Sequence, residues 1–313
     1  MPASPLTVRP TRRAVLAGLA AGGAALALPP GLARAQQNPA RTKAVPSTGQ
    51  AIPVIGMGTW ITFNVGQDPK LRSERTEVLR AFFAHGGGVI DSSPMYGSSQ
   101  AVVGHGLDEL GHPPGLIAAD KVWTSDGDDG PGQIRESLRD WGIPRFNLLQ
   151  VHNLRAWRPH LETLFAMKEA GELAHVGITT SHGRRHGEME AVMRDHPIDF
   201  VQLTYNAVDR EAEARLLPLA QEKGIAVIAN RPFRRSALVD RVQRHPLPAF
   251  AAEAGCETWP ALLLKYIVSH PAVTCAIPAT TQVVHMRENM AAARGPVLDE
   301  ALRRRIADVV AAL

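Results

Sequence analysis

Along most of the chain, short apolar runs of β type alternate with longer stretches whose apolar residues return every three or four positions. The runs IGMGTW (55–60), GVIDSS (88–93), LIAADKVWT (116–124) and FNLLQVH (146–152) predict four strands. AHVGITT (174–180), DFVQLTYN (199–206), IAVIAN (225–230) and VTCAIPA (273–279) predict four more. Between them, helical periodicity runs near 72–85, 98–110, 131–141 and 159–170, then near 187–195, 210–223, 248–269 and 282–293. In 159–170 the repeating positions are Leu161, Leu164 and Phe165. Gly86, Gly142, Gly171 and Gly224 stand where such helices end. Eight strand–helix units of this length predict a (β/α)8 barrel of the TIM type, a single α/β domain. A doubly wound open sheet would carry a Gly-rich phosphate loop after its first strand, and ITFNVGQD after Trp60 does not provide one. A last periodic stretch, 298–313, with Leu302, Ile306, Val309 and Val310, predicts a helix packed on the side of the barrel.

The first 35 residues do not fit this pattern. TVRPTRRAVLAGLAAGGAALALPPGLARAQQ has a basic start, an apolar run over 14–28 and a small-residue site at Ala33-Arg34-Ala35. That is the anatomy of a cleaved export signal. The run is Gly- and Ala-rich and shorter than the roughly twenty strongly apolar residues that a membrane span needs. The pair Arg12-Arg13 followed by Val15-Leu16 resembles a twin-arginine signal. The division expected is therefore a signal over 1–35, a polar linker and N-terminal strand region over 36–50, and the barrel over 51–313. A cut after Ala35 predicts an exported, periplasmic protein with no stable membrane anchor, and the twin-arginine machinery as a transient partner.

The leader also changes the charge. Four of the 34 basic residues, Arg9, Arg12, Arg13 and Arg34, lie before that site, but none of the 30 acidic ones does. The rest of the chain is balanced, which gives no support to a nucleic-acid partner. Two cysteines, Cys256 and Cys275, do not make a disulfide framework, although an oxidising compartment leaves a pair between them open.

In a barrel of this kind, chemistry sits where the strands end at their C-termini. Strand two ends at Asp91, strand three carries Lys121 inside an apolar run, and strand four ends at His152. Neighbouring strands lie about 4.8 Å apart, so three successive strands bring a carboxylate, an ammonium and an imidazole to one mouth. Tyr96, on the loop after strand two, can reach the same place. A positive Lys121 beside the phenol favours phenolate and lowers the tyrosine pKa, and Asp91 would hold that lysine charged. A tyrosine tuned in this way is a proton donor to a carbonyl under reduction. No metal is called for: HExxH and zinc-type Cys/His spacing are both missing.

With those residues in view, the chain resembles the aldo-keto reductases over roughly 44–293. The stretch from Asp91 to Gly97, with Tyr96 five residues after Asp91, is similar to that family's strand-two motif. DKVWT is similar to its strand-three lysine motif and LLQVHN to its strand-four histidine motif. The resemblance implies a (β/α)8 barrel that transfers a hydride from NADPH, with NADH possible, to aldehydes and ketones. It implies Tyr96 as general acid, Lys121 and Asp91 as its tuning pair, and His152 as the group that orients the carbonyl. It implies nucleotide contacts from Thr179, Thr180, Gln202, Asn230, Arg231, Thr280, His285, Glu288 and Asn289. Thr180 replaces the family's usual Asn, Asn230-Arg231 replace a stacking Tyr, and Ala279 and His285 replace a Lys and an Arg that many members place near the 2′-phosphate. Trp60 and Trp123, at strand ends, are expected to wall the substrate pocket. Two other readings compete: a nucleotide- or partner-binding protein without catalysis on the same fold, and a lyase using Lys121 as a Schiff-base nucleophile.

Overall fold

A computed structural model describes residues 39–313, and the leader expected over 1–35 lies outside them. Strand β1 (Thr42–Ala44) and strand β2 (Ala51–Pro53) pair antiparallel. Eight parallel strands then follow in sequence order: β3 (Met57–Gly58), β4 (Val89–Asp91), β5 (Ile117–Val122) and β6 (Leu148–Val151), then β7 (His175–Thr179), β8 (Phe200–Thr204), β9 (Ala226–Asn230) and β10 (Cys275–Ala276). The cylinder closes where Gly56 and Gly58 donate their N–H groups to the carbonyls of Ala276 and Pro278, at 2.9 and 3.0 Å. This is the (β/α)8 barrel that the alternation predicts.

The α-helices among the described residues begin with α1 (Pro69–Ala84), α2 (Ser99–Glu109), α3 (Gly130–Trp141), α4 (Trp157–Glu169), α5 (His186–Asp195) and α6 (Leu216–Lys223). They continue as α7 (Ala237–Val242), α8 (Trp259–Val268), α9 (Val283–Ala291) and α10 (Glu300–Ala312). Their ends are chemically marked. Asp68 and Asp299 accept the N–H of Leu71 and Leu302 as N-caps at 3.0 and 2.8 Å. Gly142 and Gly224 stop α3 and α6 in the left-handed conformation, with φ of 62° and 65°.

Alternation along the strands separates two cores. Outward residues such as Ile90, Leu149, Val201 and Val227 pack under the helices. Inward residues Val89, Ala119, Leu148, Phe200, Ile228 and Cys275 fill the barrel as a second cluster. Two steps further along five of these six strands the inward residues turn polar: Asp91, Lys121, Gln150, Gln202 and Asn230, all buried; after Cys275 the equivalent position is Ile277. The apolar layer is therefore the floor of a polar one at the C-terminal mouth.

The opposite end is plugged by part of the linker and N-terminal strand region expected over 36–50. Thr42–Ala44 form β1, and Val45 and Ile52 are buried against the barrel floor. Lys43 Nζ donates to the carbonyls of His270 and Val273 at 2.8 and 2.5 Å. The stretch 248–269 departs from one helix: a single turn at Ala249–Ala252 is separated from α8 by Gly255, with φ of 63°, and by the Thr258 N-cap. Helix α7 has no counterpart in the sequence-based reading. Both cysteines are buried free thiols.

Candidate active site

The polar layer is organised around Asp91. Its Oδ2 accepts from Lys121 Nζ at 2.6 Å, and its Oδ1 accepts from the side-chain amides of Gln202 at 2.8 Å and Gln150 at 3.2 Å. Lys121 also donates to the Ser92 carbonyl at 2.7 Å. Carboxylate and ammonium are both buried. Such a pair holds together only with its remaining hydrogen bonds satisfied, as they are here. Burial works against the charge on Lys121, but Asp91, Tyr96 and Asp120 together more than offset it, and the lysine pKa stands above its ordinary value. A lysine held charged is not primed as a Schiff-base nucleophile.

Behind Lys121 sits a second buried carboxylate that motif reading did not single out. Asp120 points away from the barrel interior. It accepts from the Lys121 N–H at 2.7 Å, from Gln100 Nε2 on α2 at 2.7 Å and from Trp141 Nε1 on α3 at 2.5 Å. Burial pushes its carboxyl up to about 7 despite those donors.

Tyr96 ends a one-turn 3₁₀ helix, Pro94–Tyr96, that Ser93 caps by accepting the Met95 N–H at 3.3 Å. Gly97 then turns the chain at φ 62°, where a β-carbon would stand 2.4 Å from the Asn64 side chain. This fold-back sets the Tyr96 ring 5.1 Å from Lys121 Nζ and 5.7 Å from the His152 ring, edge to face. Burial raises the phenol and Lys121 pulls it back, and the sum is a pKa pushed up to about 12. The sequence-based expectation of a lowered value is right about the lysine's influence and wrong about the sum, because desolvation of the phenolate is the larger effect.

His152 follows β6 and is held down to about 2, first by burial and then by the Lys121 charge, so its ring is neutral. Its Nδ1 lies 2.8 Å from Ser93 Oγ. A Ser93 hydroxyl that accepts from Met95 and donates to Nδ1 leaves the His152 proton on Nε2, the tautomer able to donate into the cavity. The backbone after His152 is unusual: Asn153, Leu154 and Ala156 have φ of 55°, 53° and 44°. Arg185 Nη1 pins this segment by donating to the Asn153 and Leu154 carbonyls at 2.6 and 3.1 Å.

A cavity of about 590 Å3 opens above these groups. Asp91, Tyr96 and His152 line it together with Trp60, Thr179, Gln202, Asn230, Arg231, Thr280, His285, Glu288 and Asn289. Gln202 is tied inward, because its Oε1 accepts from Thr179 Oγ1 at 3.2 Å. Thr180 and Trp123 are not among the lining residues. Thr180 turns its hydroxyl to the Met189 sulfur and offers only its carbonyl, to Asn230 Nδ2 at 2.9 Å. Trp123 is held by Gln133 through both backbone groups, and its ring packs 5.0 Å from the Arg155 guanidinium. His182, Arg184 and Arg235 line the cavity without a motif to announce them, and Arg235 lies 4.7 Å over the Trp60 ring. Arg231 carries a buried nitrogen, Nη1, with no hydrogen-bond partner among the described residues.

A closed parallel barrel with this polar mouth is an enzyme scaffold, and the chain belongs to the aldo/keto reductase family, whose model matches residues 54–310. It is therefore an oxidoreductase of that family. It is 25% identical over 250 residues to "Methylglyoxal reductase YeaE" of Escherichia coli, a match covering 77% of this chain and 85% of that protein. It is 27% identical over 216 residues to "Aldo-keto reductase YhdN" of Bacillus subtilis, covering 63% of each. Among solved structures, an aldo/keto reductase from Klebsiella pneumoniae in complex with NADP and acetate superposes with a TM-score of 0.69 at 25% identity, covering 82% of this chain and 92% of that one.

Proposed function

We propose that the protein reduces aldehyde or ketone carbonyls to alcohols with a reduced nicotinamide nucleotide, NADPH foremost and NADH as the alternative. The observation that carries this reading is the buried Lys121–Asp91 pair beside a phenol and a neutral imidazole that share one cavity. The cavity wall suits a nucleotide. The unpartnered Arg231 Nη1 is a ready donor to a phosphate oxygen, with the hydroxyl of Thr280 and the polar groups of Thr179, Asn230, His285, Glu288 and Asn289 along the same wall. The Klebsiella relative, solved with NADP, supports the phosphorylated form.

When bound, the reduced nicotinamide supplies a hydride to the carbonyl carbon. The His152 Nε2–H hydrogen-bonds the carbonyl oxygen and fixes its position. Tyr96 gives its phenolic proton to that oxygen, which becomes the alcohol hydroxyl. The phenolate left behind faces the Lys121 ammonium, and solvent protons restore the phenol. A phenol pushed up to about 12 keeps its proton at neutral pH, as a donor must. Asp91 keeps Lys121 charged, and the Gln150 and Gln202 amides keep Asp91 in place.

For residues 1–35 we propose a twin-arginine leader cut after Ala35, with folding and cofactor loading before export to the periplasm. Sequencing the N-terminus of the periplasmic form should give Gln36; retention of the whole chain in the cytoplasm would remove this part. The function itself is tested by fluorescence titration with NADPH and NADH, coupled to absorbance of the nucleotide over a panel of aldehydes and ketones. Saturable NADPH binding with turnover supports the reading. Tight binding without turnover on any carbonyl would favour the non-catalytic alternative.

A further inference from the structure

Three carboxylates are buried among the described residues: Asp91, Asp120 and Asp199. Two of them meet a lysine Nζ at 2.6 Å, Asp91 with Lys121 and Asp199 with Lys168. Asp120 is fully buried and makes no ion pair among the described residues. A buried carboxylate without a paired cation is costly. Its surroundings nevertheless suit a charge. Every partner is an N–H group: the Lys121 backbone N–H on Oδ1, and Gln100 Nε2 and Trp141 Nε1 on Oδ2. A protonated carboxyl would set its hydroxyl against one of these donors. Gln100 is itself oriented, because its Nε2 also donates to Ser137 Oγ at 2.8 Å.

These contacts run in a ring through the site. Lys121, the next residue of β5, lies with its Nζ 5.1 Å from the centre of the Tyr96 ring. Gln100 stands four residues after Tyr96 on the first turn of α2, and Ser99 between them donates its hydroxyl to the Tyr96 carbonyl at 2.9 Å. Asp120 therefore links the strand that carries Lys121 to the helix that leads back to the phenol. Lys121 is the cation that acts on it. Helices α2 and α3 face it with neutral Gln100, Ser137 and Trp141, β6 sets Leu149 opposite it, and β4 brings Asp91 to the inward face, where Lys121 holds it. Burial is the larger influence on both Tyr96 and Lys121, but the Asp120 charge adds a rise to each, so it opposes formation of the phenolate.

We propose that Asp120 is a positioning residue for carbonyl reduction: from the outer face of β5 it fixes Tyr96 against Lys121, and its charge sets how readily the phenol gives up its proton. This rests on the carbonyl-reductase reading above. An ionised Asp120 holds the proton on Tyr96, and a neutral one makes the phenol the stronger acid. The exchange between the two falls near neutrality, since burial pushes the Asp120 carboxyl up to about 7 against the pull of its donors.

The test is kcat/KM for an aliphatic aldehyde from about pH 5.5 to about pH 9, with tryptophan emission of the same samples recorded alongside. Wild-type kcat/KM should rise about 3–10-fold as pH falls through an inflection near 7. The Trp141 indole is bonded to Asp120, so its emission should change over the same range. Asp120→Asn should lose both inflections. The Lys121 N–H loses its acceptor in that variant, so two further variants keep the carboxylate in place. Gln100→Met and Trp141→Phe each remove one donor to it, and each should move the kinetic inflection up by about half a pH unit or more. A purely structural contact would not move it. An inflection unmoved in both variants, or a wild-type profile flat across this range, would overturn the role of Asp120 and leave the carbonyl-reductase reading standing. A wild-type protein that turns over none of a panel of aldehydes would overturn that reading and the role of Asp120 with it.

Discussion

Two tyrosines in this molecule sit in different settings, Tyr205 fully buried and Tyr96 half-buried on the cavity. Tyr96 lies beside the Lys121 ammonium at the barrel mouth. Tyr205, just past β8 on the outer side of the barrel, donates its hydroxyl to Glu213 Oε1 at 2.6 Å and accepts from Arg303 on α10. Tyr266 donates to the same carboxylate at 3.2 Å and stacks on Tyr205. Burial raises both Tyr96 and Tyr205. A cation opposes the rise in each case, Lys121 for Tyr96 and Arg303 for Tyr205, but Tyr266 and the hydrogen bond to Glu213 add to it for Tyr205. The outer cluster has its hydroxyls consumed by partners inside the protein, so it fastens α10 to the barrel. The inner one places its phenol on a cavity lined also by a neutral histidine. Access to the cavity, together with the partners of the hydroxyl, separates the proposed proton donor from a structural clamp.

Breaking each cluster should expose that difference. The largest effect is expected for Lys121→Met. It removes the ammonium that receives the phenolate, so kcat should fall on the order of 10²–10⁴-fold. It also strands Asp91, which destabilises by about 3–5 kcal/mol. Stopped-flow turnover and urea midpoints report the two losses separately. A fold-neutral variant with full turnover would show that the pair is neither structural nor catalytic. Next comes Arg303→Met. Stability should drop by about 1–3 kcal/mol as the Tyr205 hydroxyl loses its donor, while kcat/KM stays within about twofold. A comparable loss of kcat at unchanged stability would erase the distinction between the clusters.

Smaller still is the pH dependence of stability. His152 and His270 are held down to about 2 and about 4 in the folded protein, by burial in each case before any charge effect. The unfolded chain takes up those protons near pH 6.5. Stability should therefore decline as pH falls below about 6.5, with the His270 share complete by about 4 and the His152 share continuing towards 2. Urea midpoints at pH 7.5 and 5 should differ less in His270→Asn than in wild type. Equal differences would remove His270 from this dependence.

Much of the mouth is legible in the sequence because β-strands alternate faces. Asp91, Lys121, Gln202 and Asn230 fall on inward positions of their strands, so a polar residue ending an apolar run already states its direction. Residues off the strands are harder. Trp123 follows β5 by one residue, and alternation alone does not say that Gln133 and Arg155 hold it away from the cavity. Thr180 is one residue past β7 and takes the outward face. Ser93 and Asp120 lie close to motif residues in sequence, and only their partners on β6, α2 and α3 reveal what they do. The strand region expected over 36–50 has no individual strands marked in it, because three-residue strands are too short to show a period.

The most direct measurement is single-turnover hydride transfer in Tyr96→Phe, followed by nucleotide absorbance after mixing pre-bound NADPH with an aldehyde. Phenylalanine keeps the ring against His152 and removes only the proton donor. The transfer rate should fall on the order of 10²–10⁴-fold, with the NADPH Kd within about twofold of wild type. A transfer rate equal to wild type at unchanged Kd would contradict the assignment of Tyr96 as the proton donor.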